Sequence, residues 1–63
     1  MRDIVEMKRI DDHMRHYGDV IEIRRHANGH EYYLDGCWLP GQVVRDMISD
    51  GWIIEGDSSL YRA

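Results

Sequence analysis

Four histidines in a chain of 63 residues are the side chains here best suited to chemistry. His13 and His16 stand three apart, and His26 and His30 straddle an Asn-Gly pair. Imidazoles at such spacings can hold zinc, with Cys37, Asp11 or Asp12 completing a ligand set. None of them forms a recognised zinc spacing, and solvated surface histidines are far commoner. The expectation is therefore no metal and no cofactor. A pH-responsive surface would use the same residues, but nothing in the sequence selects it.

Catalytic arrangements are not evident. Ser49, Ser58 and Ser59 lack a Gly-x-Ser-x-Gly context, and Cys37 has no basic neighbour in sequence to lower its pKa. There is no glycine-rich phosphate loop. Asp11-Asp12 and the pair Asp46 and Asp50 are acids at spacings that suit a solvated face. A domain of this length also has little room to enclose a pocket of a few hundred cubic ångströms. The sequence predicts a protein that is not an enzyme, with no catalytic residue assigned.

What remains is a surface. Arg24, His26 and Tyr33, with Arg25 and His30 nearby, make a mixed basic and aromatic patch around a turn. Such patches stack single-stranded bases or anchor an acidic protein surface. A second group of candidate partner-binding residues, Arg45, Asp46 and Asp50, falls on the polar side of a helix.

That helix is the most legible element in the chain. In Leu39–Trp52, Pro40 suits a first helical turn, where its missing N–H has no partner to lose. Val43, Val44, Met47 and Ile48 form one stripe, with Gln42, Arg45, Asp46, Ser49 and Asp50 opposite. Gly51 supplies a left-handed stop, and Trp52 folds back toward Met47. Before it, residues 20–26 and 30–39 read as two strands of a hairpin around Asn28-Gly29. A two-residue Asn-Gly loop sets Ile23 opposite Leu34, Arg25 opposite Tyr32 and Glu22 opposite Asp35. Ile21, Ile23, Tyr32 and Leu34 then share the core face, leaving Glu22, Arg24, His26, Glu31, Tyr33 and Asp35 on the other. After the helix, residues 52–55 and 60–62 read as a second hairpin about Gly56-Asp57-Ser58-Ser59. Residues 1–17 fit helical spacing at Ile4, Met7, Ile10, Met14 and Tyr17, though residues 3–10 also suit a strand and no cap marks the start. Asp11 with Arg15 and Asp12 with His16 are acid-before-base pairs at i, i+4.

The predicted fold is therefore α+β over residues 1–63 as one small domain. Its plan is hairpin–helix–hairpin: a small antiparallel sheet of about four strands with one or two helices on one face. So short a chain buries only about 60% of its unfolded surface, and one cysteine allows no internal disulfide. A homodimer is a live expectation on that ground. The N-terminal residues show no apolar run suited to an export signal or membrane span, so a reducing cytoplasm is expected. The net charge of −4 removes the bulk attraction most nucleic-acid binders use. The aromatic residues are four tyrosines and two tryptophans with no phenylalanine, and rings with a polar handle suit a half-wet interface.

Residues 43–62, by their apolar spacing and Gly51, resemble the last helix and wing of winged-helix proteins, which implies DNA binding. The exposed helix side sets Arg45 and Gln42 beside Asp46 and Asp50, however, and residues 55–59 carry no cation for a phosphate. Gly51-Trp52 also resembles the corresponding pair of HicA-type RNA-cleaving toxins. The catalytic histidine of that family has no counterpart here, because Asp57-Ser58-Ser59-Leu60 occupies its place. The functional expectation is a non-enzymatic binding protein with a protein target. Its style is that of accessory or inhibitor proteins of phages and mobile elements, such as anti-CRISPR, host-takeover or antitoxin-like proteins. The alternative is a nucleic-acid-binding transcriptional regulator. If Arg2, Lys8, Arg9, Arg15, Arg24 and Arg25 converge on one face, the alternative gains. If Asp46, Asp50, Glu55 and Asp57 dominate, mimicry of nucleic acid gains.

Overall fold

A computed structural model describes residues 1–63. Its first element is a helix, α1 (Ile4–Tyr17). Asp3 caps it, accepting the Glu6 backbone N–H at 3.2 Å, and Glu6 in turn holds Arg9. This cap was not anticipated from the sequence, and it resolves the helix-or-strand ambiguity of residues 3–10. Met7, Ile10 and Met14 form the buried stripe, while Ile4 and Tyr17 at the two ends stay exposed. Gly18 closes the helix in the left-handed region and returns its N–H to the Met14 carbonyl. The expected i, i+4 pairs do not form. Asp12 takes Arg15 one position closer, Asp11 reaches Arg62 at the far end of the chain, and His16 lies edge-on to Tyr17.

Three strands follow: β1 (Ile21–His26), β2 (Gly29–Leu34) and β3 (Cys37–Leu39). The first hairpin differs from the Asn-Gly expectation by two residues. Its loop is Ala27-Asn28, with His26 opposite Gly29 and Ile23 opposite Tyr32. Gly29, not Asn28, takes the positive φ. The reason is visible in the cross-strand pairs. The expected register sets Glu22 against Asp35, whereas the observed one gives Glu22 a tyrosine and sets Arg24 against Glu31. A shift of two preserves every residue's face.

The expected long strand 30–39 is broken at Asp35-Gly36. Both residues have positive φ, 51° and 77°, as a two-residue hairpin turn of the primed kind demands. Leu34 therefore faces Cys37, and Tyr33 faces Trp38. This turn converts the expected sheet of about four strands into five.

Helix α2 (Gly41–Ser49) begins one residue later than expected, with Pro40 extended at its cap position. Its end is as anticipated: Trp52 N–H bonds to the Met47 carbonyl and Gly51 N–H to that of Ile48, a Schellman closure around left-handed Gly51. Strands β4 (Ile53–Glu55) and β5 (Ser59–Arg62) complete the chain. The sheet order is β3-β2-β1-β5-β4, every neighbouring pair antiparallel. The last strand thus enters the sheet interior beside the first, and Leu60 pairs with Ile21.

All the buried apolar residues form one cluster between the helices and one side of the sheet. Met7, Ile10, Met14, Val43, Val44 and Met47 come from the helices. Ile21, Ile23, Tyr32, Leu34, Leu39, Ile53 and Leu60 come from the sheet. Side chains alternate along a strand, so the residues between these point away from both helices. The architecture has two layers, and the second side of the sheet is bare.

Candidate interaction surface

The bare side is built by alternation. Register puts Trp38, Tyr33, Glu22 and Ser59 in one continuous row across β3, β2, β1 and β5. Arg24 and Glu31 pair in the next row, and His26 stands at the end of β1. Near the other edge Tyr61 faces Ile54. Trp38 and Ile54 are each 57% exposed and Tyr61 is 49% exposed, with no element over them. The surface is aromatic and apolar toward both edges, with a polar seam of Glu22, Arg24 and Glu31 between.

The seam is pre-ordered. The Arg24 guanidinium lies 3.8 Å from the Tyr33 ring centroid and donates to the Glu22 carboxylate at 3.1 Å. This contact raises the already high Arg24 pKa, the Glu22 hydrogen bond being the largest cause. His26 Nε2 lies 2.6 Å from a Glu31 carboxylate oxygen. The ring contact and the Glu22 pairing hold the Arg24 fork over the ring, so less side-chain freedom remains to be lost on docking.

The residues assigned from sequence divide into two groups. Arg24, His26 and Tyr33 lie together on the bare side, as expected. Arg25 and His30 are opposite each other, but their parity is that of Ile23 and Tyr32. They therefore project toward the helix side, beyond the end of the core, where Arg25 donates to the Asp57 carbonyl at 2.7 Å. Arg45, Asp46 and Asp50 belong to α2, in the other layer. Asp46 is not on a solvated face. It is buried, accepts from Gln42 at 2.9 Å and lies 3.5 Å from Arg2. Asp50 is gripped through both oxygens by Arg2, at 2.9 and 3.0 Å, which holds its carboxyl below the usual range.

Trp38, Tyr61 and Ile54 are the surface residues that the sequence reading missed. In an unbroken strand 30–39, Trp38 would share the parity of Tyr32 and Leu34, which face the core. The Asp35-Gly36 turn reverses that parity. The Asp-Gly pair itself was the signal.

Most of the charged side chains are paired. Arg2 is paired with Asp46 and Asp50, Arg9 with Glu6, Arg15 with Asp12, Arg24 with Glu22 and Arg62 with Asp11. Of the cations named as a possible phosphate-binding set, Lys8, Arg9 and Arg15 ride on α1, Arg2 lies against the end of α2 and Arg25 projects to the helix side, whereas Arg24 lies on the opposite side of the sheet. Of the acids weighed for mimicry, Asp46 and Asp50 share the single positive charge of Arg2. The segment likened to a winged-helix wing puts β5 inside the sheet, and three strands separate α2 from the helix before it. No family model, curated protein or solved structure matches the chain.

Proposed function

We propose that this chain is a non-catalytic binding module that docks a protein partner on the bare side of its sheet. One observation carries the reading: Trp38, Tyr33, Arg24, Tyr61 and Ile54 share a side that no part of the chain covers. Tryptophan, tyrosine and arginine are the residue types that dominate binding energy at protein interfaces. A standard interface takes about 800 Å² from each partner, roughly a fifth of the 4257 Å² this chain exposes. A partner of ordinary size would therefore cover most of this side. The partner chemistry that fits is an apolar or aromatic ridge flanked by groups able to meet Glu22, Glu31 and the Arg24 fork. An accessory or inhibitor protein of the phage or mobile-element kind would be built in this way, a part of the reading that rests on size and composition.

Exposed rings on a sheet also stack single-stranded bases, and that is the competing use of the same side. Phosphate binding draws its strength from unpaired cations. On this side the arginine is already held by Glu22, and His26 by Glu31. The protein reading is favoured on that ground.

The test is affinity capture from lysate with and without nuclease treatment, using three baits: the native chain, the double variant Trp38→Ala/Tyr61→Ala, and Arg45→Ala on the opposite layer. The expected result is a stoichiometric protein held by the native chain and by Arg45→Ala but lost with the double variant. Capture that survives the double variant, or that vanishes on nuclease treatment, would overturn the reading.

A further inference from the structure

The histidines group differently from any spacing in the sequence. His13 on α1, Asp19 in the α1–β1 connection and Asp35 in the β2–β3 turn bring their ligand atoms within 4.8 Å of one another. His13 Nε2 is 3.0 Å from an Asp19 carboxylate oxygen. His13 is partly sheltered, and the Tyr17 ring packs against it at 4.7 Å, borders the same open hollow and limits its rotation.

We propose that His13, Asp19 and Asp35 bind a divalent first-row transition-metal ion of zinc's class. One imidazole nitrogen with two carboxylates is a donor set for Zn²⁺ or Mn²⁺, whereas Mg²⁺ and Ca²⁺ prefer oxygen alone. Ligand atoms about 2.1 Å from such an ion lie roughly 3 to 3.5 Å apart. The His13–Asp19 separation of 3.0 Å already meets this, and with the three ligand atoms within 4.8 Å of one another Asp35 would have only a short way to move. The charges point the same way. Asp11, Asp12, Glu22 and Asp50 each hold an arginine, but Asp19 has only His13 and Asp35 has no ion-pair partner. Two carboxylates therefore face one hollow with no lysine or arginine between them, and a dication would neutralise both. The remaining coordination positions face solvent and would be filled by water.

Such an ion would tie α1 to the sheet. That helix buries only Met7, Ile10 and Met14, so a clamp at its C-terminal end would act where the packing is thin. A metal is one of the usual additions to a domain this short. The proposal does not depend on the docking role.

The test is calorimetric titration and thermal melting with ZnCl₂, repeated with MnCl₂ and MgCl₂, in a Cys37→Ser background that removes the exposed thiol. At about a hundredfold excess over Kd, a single zinc is expected to raise Tm by roughly 20 °C. Mg²⁺ should do little. Asp35→Asn keeps the left-handed turn, because asparagine tolerates that conformation as aspartate does. It should nonetheless lose most of the zinc response, as should His13→Gln. The pair His26→Gln/His30→Gln should retain it. No zinc-dependent rise in Tm, a rise that survives Asp35→Asn, or a rise lost only with the His26/His30 pair would each overturn the assignment.

Discussion

At the scale of single residues, five of the seven arginines of this protein are committed to specific carboxylates, and that commitment is what an acidic chain with few spare cations looks like from inside. Arg2 illustrates it. It spans from the N-terminal residues to the end of α2, holding Asp50 through both oxygens and lying near buried Asp46. The Arg2 hydrogen bond is the largest cause of the depressed Asp50 pKa, and the Arg9 hydrogen bond does the same for Glu6. The pH consequence follows from the sign. A carboxylate whose pKa is lower folded than unfolded contributes stability at neutral pH, and loses it as pH falls through the folded value, below about pH 4. Arg2→Gln should therefore be less stable than the native chain at pH 7, and the gap should narrow between about pH 4 and pH 2. Denaturant midpoints across that range measure it, and a constant gap would mean the Arg2 pair contributes through packing alone. Both groups are solvent-exposed, so the effect is small and weakens with salt. The Arg2 pairing was not legible in the sequence. Arg2 and Asp50 are 48 positions apart, and no local rule links residues at that distance.

At the scale of elements, the helices were readable where local chemistry decides them, and the strands only where alternation continues unbroken. The α2 stripe and its Gly51 stop follow from apolar spacing and from glycine's freedom at positive φ. The cap at Asp3 was readable too, as an Asp-x-x-Glu start that the competing strand pattern of residues 3–10 masked. The sheet is a different case. The Asn-Gly pair marks a hairpin but does not settle which two residues form its loop, and cross-strand charge chose the alternative. The Asp-Gly pair marks a turn without which Trp38 would take the parity of the core face. Because the turn needs Asp35 and Gly36 both left-handed, Gly36→Ala should cost about 1–2 kcal/mol. The same holds for Gly51→Ala at the end of α2. An added Cβ meets nothing within 4 Å at either position, so the cost is conformational and not steric. Urea denaturation reads it, and wild-type midpoints for both variants would refute the turn and cap assignments together.

At the scale of the whole molecule, the fold invests its apolar residues in one seam and leaves a second partly apolar surface bare. The α+β class and the one-sided placement of helices were predictable, because a helix stripe and an alternating sheet have few other ways to bury each other. The interior position of β5 was not, since nothing local tells a C-terminal strand to pair with β1 as well as β4. That pairing carries much of the argument. It makes the sheet broad enough to set Tyr61 and Ile54 on the same side as Trp38, and it turns the segment likened to a mobile wing into part of the packed sheet. The short edge strands, three residues each in β3 and β4, offer little backbone for edge-to-edge pairing. Docking through this sheet is therefore a matter of side chains on its bare side.

Trp38 gives the most direct measurement. In a Trp52→Phe variant it is the only tryptophan, and its fluorescence reports the bare side alone. Iodide quenching should be that of a freely accessible indole in the isolated chain and should fall sharply once the captured partner saturates it. Quenching that stays the same in the saturated complex would show that the partner binds elsewhere. A Trp38 already shielded in the isolated chain would show that the sheet is covered by another copy, contradicting the open surface on which the account rests.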